Sequence, residues 1–362
     1  MNRRQCLSLG LAWSWWLDTL GASNRAALTF PRDLGSHPDH AIEWWYLTGQ
    51  LLAGSRQFGF QLTFFRSRVP QTQGMRSAFA AKQLIFAHAA VTDVAGLRLL
   101  HSQRLARASG TPGLDLAEAS TADTHVNIGS WHLQHEASTY LAQASGTDFS
   151  FQLRLHETQA LLLQGDQGWS RKGPQEEQAS LYYSLPQLSA SGQLHLAGQT
   201  FQVQGRAWLD HEWSQSLMPP QAVGWDWVGM NLIDGSALIA FRLRSASGET
   251  LWAGGSFRTI DQSHPLVLGP QDVVFTPGRV WKSPASGSTY PVEWSVVVRL
   301  HGRSPSSVAY VVKAVIDNQE LDSQASTGAI YWEGLSELRD AQHQVIGHGY
   351  LEMTGYSSPL RL

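Results

Sequence analysis

The stretch "AIEWWYLTGQLLAGSRQFGFQLTFF", residues 41–65, decides the fold. Apolar and polar residues alternate along "QFGFQLTFF" with a period of two, which is typical of a half-buried β-strand. In a strand beginning near residue 42, Glu43 and Trp45 face one way, whereas Trp44 and Tyr46 face the other. Large rings on both faces predict a strand that is buried on both sides. One face fills a barrel, and the other packs outward, for example on a second domain.

The same period of two recurs along the chain, in "TFQVQGRAW", "LIAFRLRS" and "YVVKAVID". Gly, Ser, Asp and Pro bound these runs, and Asp234-Gly235 is a hairpin signal between two of them. No window holds a helical stripe longer than about 12 residues. Many short strands joined by polar turns predict an all-β sandwich or barrel.

The chain of 362 residues has the length of two domains. With 43% hydrophobic and 15% charged residues it is expected to be globular, with a sizeable core. The net charge is -3 and no block of Lys and Arg occurs, so nothing favours a nucleic-acid or anionic-membrane partner, and neither is predicted. Cys6 is the single cysteine, so disulfides, a zinc-thiolate site and a cysteine nucleophile are excluded from the mature chain.

Residues 1–27 are predicted to be an export signal, of the twin-arginine or the general secretory type. Arg3 and Arg4 precede "CLSLGLAWSWWL", an apolar run too short to span a bilayer, and small residues follow it. The alternative is a buried N-terminal helix. Export predicts a periplasmic or secreted protein, and no later stretch is long enough to be a transmembrane helix.

A weak internal repeat divides the rest of the chain. "EWWYLTGQLLAGSRQFGFQLTFFR" begins at Glu43 and "GWDWVGMNLIDGSALIAFRLR" begins at Gly224. Each opens with an acid and two Trp, crosses a Gly turn and closes on a strand ending in Arg. We therefore predict two similar β domains, residues 28–217 and 221–362, joined where Pro219-Pro220 cannot extend a sheet ladder. The polar stretch 165–180 is predicted to be a long, functional loop.

The segment "AWLDHEWS", residues 207–214, carries the first candidate site residues. Alternation places Asp210 and Glu212 on one face and His211 and Trp213 on the other. The segment precedes the domain linker, clefts between domains are preferred ligand sites, and histidine suits proton transfer near neutral pH. We therefore predict that His211 and Trp213 line a pocket between the barrels. The alternative is a hydrogen-bonded core pair.

Two acids in the matching first strands, Glu43 and Asp226, complete the predicted catalytic set with His211. A carboxyl beside Trp rings is partly desolvated, which raises its pKa and suits it to donate a proton. The alternative is that these acids form structural ion pairs with Arg66 or Arg242. The predicted ligand-binding residues are Trp44, Trp45, Tyr46, Trp213, Trp225, Trp227 and Trp332.

Other polar residues lie within aromatic or apolar runs. They are His88, Glu333, Tyr350 and Glu352. Taken one at a time, each is expected to make a structural hydrogen bond. Together they indicate an aromatic pocket that contains a few acids and a histidine, with Glu333 as another candidate proton donor.

Neither a metal nor a cofactor is predicted. "HPDH", residues 37–40, offers imidazoles, but Pro38 biases His37 toward an extended backbone and the two rings need not converge. HExxH, CxxC, GxGxxG, P-loop and GxSxG patterns do not occur in the sequence.

Six segments resemble the carotenoid 1,2-hydratase and AttH-like family of lipocalin-like proteins. In chain order they are "HPDHAIEWWYLTGQL", "FGFQLTFFR", "GWSRKG", "LYYS", "AWLDHEWS" and "GWDWVGMNLIDGSALIAFRLR". The match runs from about His37 to the C-terminus. The resemblance implies two consecutive lipocalin-like antiparallel β-barrels. Some members hydrate a terminal alkene of a carotene, others are exported proteins called predicted secreted hydrolases, and related fungal proteins promote pericyclic cyclisations.

The hydratase branch of this family uses a His-x-Trp pair, which falls on His211 and Trp213. Its later Tyr-x-Asp has no counterpart in "LIAFRLR", so the chain resembles the AttH-like secreted branch more closely.

We expect an exported protein that binds a hydrophobic, isoprenoid or lipid-like small molecule and adds water to a C=C bond by acid catalysis. Aromatic faces would shelter a cation, and an acid of raised pKa would supply the proton. One alternative is a noncatalytic carrier associated with an ABC-type export system. The other is a secreted ester hydrolase, for which no nucleophile pattern is present.

Overall fold

The computed structural model describes residues 27–111, 113–216 and 218–360. The predicted export signal therefore lies outside the described residues, apart from Ala27, and so does Cys6. The helical elements of the described part are two short 3-10 turns, Arg32–Leu34 and Pro70–Thr72. None of its helices is long and apolar enough to cross a membrane.

The first sheet holds thirteen strands. They are β1 Ile42–Ala53, β2 Arg56–Arg68, β3 Gln83–Asp93, β4 Arg98–Ala108, β5 Ala117–Ala119, β6 His125–Ile128, β7 Trp131–Glu136, β8 Thr139–Ser145, β9 Phe149–His156, β10 Leu162–Leu163, β11 Trp169–Arg171, β12 Ala179–Leu196 and β13 Gln199–Ser214. Their order is β4-β3-β2-β1-β13-β12-β9-β8-β7-β6-β5, with β10 and β11 beside β12. The end strands β4 and β5 contact each other, so the sheet is a nearly closed barrel.

The second sheet holds ten strands, and a separate two-stranded hairpin accompanies it. Strands of the second half are β14 Gly224–Leu232, β15 Ala237–Arg244, β16 Thr250–Arg258, β17 Leu266–Leu268, β18 Val273–Pro277, β19 Val280–Lys282, β20 Thr289–Pro291, β21 Glu293–Arg299, β22 Ser307–Ala314, β23 Glu320–Asp322, β24 Ile330–Arg339 and β25 Val345–Met353. The order is β17-β16-β15-β14-β25-β24-β22-β21-β18, with β23 beside β24, while β19 pairs with β20. The prediction of an all-β protein with two consecutive antiparallel sheets is confirmed.

The two sequence repeats occupy the same topological position. In the first sheet, β1 lies between β2 and the last strand, β13, and in the second, β14 lies between β15 and the last strand, β25. Glu43 is directly opposite Arg66 across β1 and β2. Asp226 is directly opposite Arg242 across β14 and β15. The acid at the start of each repeat therefore faces an arginine at or near the end of that repeat.

Four apolar clusters follow from this arrangement, the smallest being Ala90, Leu321 and Tyr331. One fills the first barrel and includes Trp45. A second fills the second barrel and includes Trp332. The third lies between the sheets and includes Tyr46, Trp227 and Phe241. The two faces of β1 thus serve different clusters, which explains why its rings occupy consecutive positions.

Buried hydrogen bonds connect the two barrels. The backbone N–H of Gln187 donates to Asn231 Oδ1 over 2.8 Å. Thr92 Oγ1 donates to Gln319 Oε1, also over 2.8 Å. Because buried polar groups need specific partners, such pairs fix how one barrel is oriented on the other.

Candidate functional site

A cavity of about 320 Å³ lies between the two barrels, and its wall is mainly apolar and rich in aromatic side chains. It is bordered by the outward faces of β1, β2, β3 and β13 and, across from them, by β14, β15, β24 and β25. The lining side chains include Trp44, Tyr46, Phe65, Phe86, His88, Lys172, Tyr182, Asp210, Glu212, Trp225, Trp227, Phe241, Tyr331, Glu333 and Glu352.

Asp210 comes from the face of β13 that alternation separates from His211. Its Cα pairs with that of Tyr46 on β1. Burial raises the pKa of Asp210 to about 7, although hydrogen bonds from Ser184 and Trp208 favour the charged form. Those donors, Ser184 Oγ and Trp208 Nε1, lie 2.5 and 2.7 Å from Oδ1. Asp210 therefore changes protonation near neutral pH.

Glu212 lies two residues further along β13 and is ion-paired. Lys172 Nζ is 3.0 Å from its Oε1. The ammonium group also lies 4.4 Å from the centre of the Phe241 ring. Lys172 belongs to the stretch 165–180, predicted to be a long loop; the structure places the short strand β11 within it. The charge that this stretch brings to the cavity is balanced by Glu212.

Glu333 and Glu352 are opposite one another on β24 and β25. Glu333 is buried, and burial followed by the neighbouring Glu352 charge raises its pKa well above the usual range. Burial also raises the pKa of Glu352 to about 8, against a hydrogen bond from Trp225. Two carboxylates in this position would repel each other, so at neutral pH the pair carries protons.

His88 contributes a neutral imidazole to the cavity wall. Its Nε2 lies 2.8 Å from Ser326 Oγ, which itself donates to Gln103 Oε1. Nε2 must then carry the proton, and Nδ1 accepts from the Tyr331 hydroxyl over 2.7 Å. Burial lowers the pKa of His88 to about 3.

Glu43 borders the cavity, but its carboxylate is the centre of a different cluster, inside the first barrel. Its carboxylate accepts hydrogen bonds from Arg66 Nε at 2.7 Å, His211 Nε2 at 2.9 Å and His37 Nδ1 at 2.7 Å. Burial raises the pKa of Glu43, but the hydrogen bonds from His211 and His37 and the charge of Arg66 hold it well below the usual value. The expectation of a raised pKa is therefore wrong for Glu43, because its donors outweigh its desolvation.

His211 is fully buried in this same cluster. Its ring stacks on Trp45 at 4.6 Å, and its Nδ1 lies 3.0 Å from the Tyr183 hydroxyl. Trp213 stacks on His37 at 3.7 Å. His211 and Trp213 thus point into the first barrel, whereas the cavity receives the opposite face of β13. The sequence pattern separated these two faces but did not indicate which of them meets the second barrel.

Asp226 makes the corresponding cluster in the second barrel. Arg242 Nε and Arg244 Nε lie 2.7 and 3.0 Å from its Oδ2, and the Tyr356 hydroxyl donates to Oδ1 over 2.9 Å. Its side chain is fully buried and is not among those lining the cavity. Glu43 pairs with Arg66 and Asp226 pairs with Arg242, as the alternative of structural ion pairs predicts for both acids.

The predicted ligand-binding rings divide between the cavity and the barrel interiors. Trp44, Tyr46, Trp225 and Trp227 line the cavity. Trp45 and Trp213 lie in the core of the first barrel, and Trp332 lies in the core of the second. The division follows strand alternation. The sequence neighbours of Trp45 and Trp332 line the cavity, so these two rings point the opposite way, into the barrels.

The residues that sequence reasoning did not select for the cavity include Asp210, Glu212, Lys172 and Phe241. For the two acids a signal existed, since they share one face of β13 and each follows an apolar or aromatic residue. For Lys172 and Phe241 the sequence contained no such signal, because these two residues come together only when the barrels pack against each other.

His37, Glu43 and His211 form a group whose ligand atoms lie within 4.8 Å of one another, close enough to hold a metal ion. The same atoms already hydrogen-bond to each other, and Arg66 contacts the carboxylate. Protein groups therefore balance the charge of Glu43 in this cluster.

We expect His211→Ala to destabilise the protein by about 1–3 kcal/mol, because it leaves buried partners unpaired. Binding at the cavity should survive, since His211 does not line it. Urea denaturation measures the first effect, and titration with a neutral fluorescent probe such as phenylnaphthylamine measures the second. Unchanged stability with lost binding would instead place His211 in the ligand site.

Comparison with known proteins gives a family and a fold. The family model "AttH-like" matches residues 21–356. An AttH-like protein of Nitrosomonas europaea is 40% identical, with 92% of this chain and 98% of that chain covered and a TM-score of 0.81. Kievitone hydratase of Nectria haematococca is 15% identical over 93% of this chain and 95% of its own, with a TM-score of 0.68. Among curated protein sequences, no relative is found.

Proposed function

The chain belongs to the AttH-like family, and from that premise we propose that it binds a neutral, hydrophobic small molecule between its barrels and adds water to a C=C bond of that molecule. The observation that carries the proposal is the pair Glu333 and Glu352, two acids on adjacent strands of an aromatic cavity. The name of the structural neighbour kievitone hydratase suggests the reaction class.

The lining of the cavity favours a neutral ligand. Its walls are largely apolar, so binding gains from apolar contact. The ammonium group of Lys172 is balanced by Glu212, and burial keeps protons on Glu333 and Glu352. A charged ligand would find no free opposite charge among these groups to offset its loss of hydration.

In the proposed reaction Glu352 is the proton donor. Its pKa of about 8 means that it carries a proton at neutral pH and still releases one readily. Glu333 has a pKa raised well above the usual range, so it remains a neutral hydrogen-bond donor beside Glu352. Two adjacent acids that lose their protons at different pH values are suited to different roles.

Asp210 is the proposed acceptor of the proton released by water. Its pKa of about 7 leaves a substantial carboxylate fraction at neutral pH. The steps balance as follows: Glu352 gives a proton to one alkene carbon, the oxygen of water bonds to the other, and water's surplus proton passes to Asp210. Solvent then returns a proton to Glu352 and removes one from Asp210.

The proposal is tested by binding and by turnover. Trp44→Ala, at a half-buried ring of the cavity wall, should weaken phenylnaphthylamine binding by roughly tenfold, as expected for a lost aromatic contact. Phe79→Ala is the matched control, because Phe79 is 64% exposed and does not line the cavity.

Turnover is followed by mass spectrometry in heavy-oxygen water, with a panel of neutral alkenes. A labelled alcohol formed by the folded protein and not by Glu352→Gln supports hydration. Binding without any labelled product across the panel would instead support a carrier. If Trp44→Ala bound the probe as tightly as Phe79→Ala, the ligand site would lie outside this cavity.

A further inference from the structure

Two polar atoms in the wall of the cavity have no hydrogen-bond partner in the described part of the chain. They are the hydroxyl of Tyr46 and Oε1 of Glu333, and both are buried. Tyr46 is 6% exposed and Glu333 is 3% exposed, so bulk water does not satisfy them. A buried polar group left unpaired is destabilising, and an exception of this kind calls for an explanation.

Neighbouring polar groups of the same cavity are, in contrast, engaged. The Tyr331 hydroxyl donates to His88, and Glu212 binds Lys172. Tyr46 and Glu333 therefore differ from otherwise similar groups in the same wall. Both line the same cavity, Tyr46 from β1 and Glu333 from β24.

Both groups are hydrogen-bond donors at neutral pH. Burial raises the pKa of Tyr46 well above the usual range, so the hydroxyl keeps its proton, and the carboxyl of Glu333 stays protonated for the same reason. A tyrosine and a neutral carboxylic acid in an apolar site form a strong binding place for an oxygen that gains negative charge.

We propose that Tyr46 and Glu333 together bind the carbonyl oxygen of the substrate, so that the C=C bond hydrated by this protein is conjugated to a carbonyl group. The proposal rests on the hydration proposed above and narrows its substrate to neutral, apolar α,β-unsaturated carbonyl compounds.

With such a substrate the reaction proceeds through an enolate. The oxygen of water bonds to the β carbon and its surplus proton passes to Asp210. The C=C electron pair moves to the bond between the α carbon and the carbonyl carbon, and the carbonyl pair moves to the oxygen held by Tyr46 and Glu333. The enolate then collapses, the α carbon takes a proton from Glu352, and a β-hydroxy carbonyl compound results.

The experiment compares two ligands of similar shape, benzylideneacetone and trans-β-methylstyrene, which lacks the carbonyl. Tyr46→Phe should weaken binding of the ketone by roughly tenfold, the equivalent of about 1.4 kcal/mol, and leave the hydrocarbon unaffected. Glu333→Met should act in the same way. Tyr140→Phe is the control, because Tyr140 is a buried tyrosine of the first barrel that does not line the cavity.

Two further readouts keep the test independent of folding. Tyr46→Phe should melt at the same temperature as the natural protein or higher, since it removes an unpaired hydroxyl. In the infrared spectrum, the carbonyl stretch of bound benzylideneacetone should lie at lower frequency in the natural protein than in Tyr46→Phe.

Equal losses of ketone and hydrocarbon binding in Tyr46→Phe, or an unshifted carbonyl stretch, would overturn this assignment and leave the proposed hydration intact. Failure of both compounds to bind the natural protein would count against the cavity as a ligand site, and therefore against both proposals.

Discussion

The Glu43→Ala variant is expected to lose about 3–5 kcal/mol of unfolding free energy, because it leaves a buried guanidinium without its carboxylate. Arg66 is only 1% exposed, and two imidazoles lose the same acceptor. Since proteins are typically stable by only about 5–15 kcal/mol, this loss would remove a large share of the unfolding free energy. Urea denaturation followed by tryptophan fluorescence measures the loss.

Glu118→Ala is the matched control, since Glu118 is an exposed acid of the same sheet and should change stability by less than about 0.5 kcal/mol. Acid should reproduce the loss in the natural protein. The folded-state pKa of Glu43 lies well below its ordinary 4.5, so its contribution is fully present above pH 4.5 and is lost as the pH falls below that value. A Glu43→Ala protein as stable as the control would show that the cluster contributes nothing to the fold.

The Glu352→Gln variant is expected to lower the turnover number for hydration by about 10²–10⁴, the usual effect of removing a general acid. Stability should change little, because an uncharged amide replaces a carboxyl that is itself protonated at neutral pH. Turnover of the alkene that the natural protein hydrates measures the effect, and the ligand's Kd, measured separately, should stay within about threefold.

The pH profile of the natural protein provides a second check on Glu352. Its pKa of about 8 predicts that turnover falls as the pH rises beyond 8, because the donor loses its proton. The pKa of about 7 for Asp210 predicts a fall on the acid side, because the acceptor becomes protonated. The pH profile of Glu352→Gln should lose the decline at alkaline pH and keep the decline at acid pH. If the alkaline decline were unchanged, a group other than Glu352 would be the proton donor.

Much of the fold was predictable because strand alternation is a local property. The pattern around Glu43 separated Trp45 from Tyr46, and the structure places these rings in different clusters. The repeat paired an acid with an arginine in each half, and the contacts of Glu43 with Arg66 and of Asp226 with Arg242 follow that pairing.

The site was less predictable, because it depends on which strand faces the barrels present to each other. His211 and Asp210 are adjacent in sequence, yet one points into the first barrel and the other lines the cavity. Local periodicity does not predict which outer face of one barrel packs against which outer face of the other. The pair Glu333 and Glu352 depends likewise on the register of β24 and β25, which hydrophobic pattern alone does not set.

The pairing of each barrel's first strand with its last has a consequence for how the protein is made. The contact between Glu43 and His211 joins residues 168 positions apart, so the first barrel cannot close on the ribosome until β13 has been synthesised. Contacts this distant in sequence make folding slow. Closure of the second barrel likewise requires that β25 has been synthesised, because β25 pairs with β14. A chain terminated before β25 would therefore lack the strand that pairs with β14, and it would lack Glu352 itself. Its cavity wall would be incomplete, and the unpaired edge of β14 would be exposed to degradation.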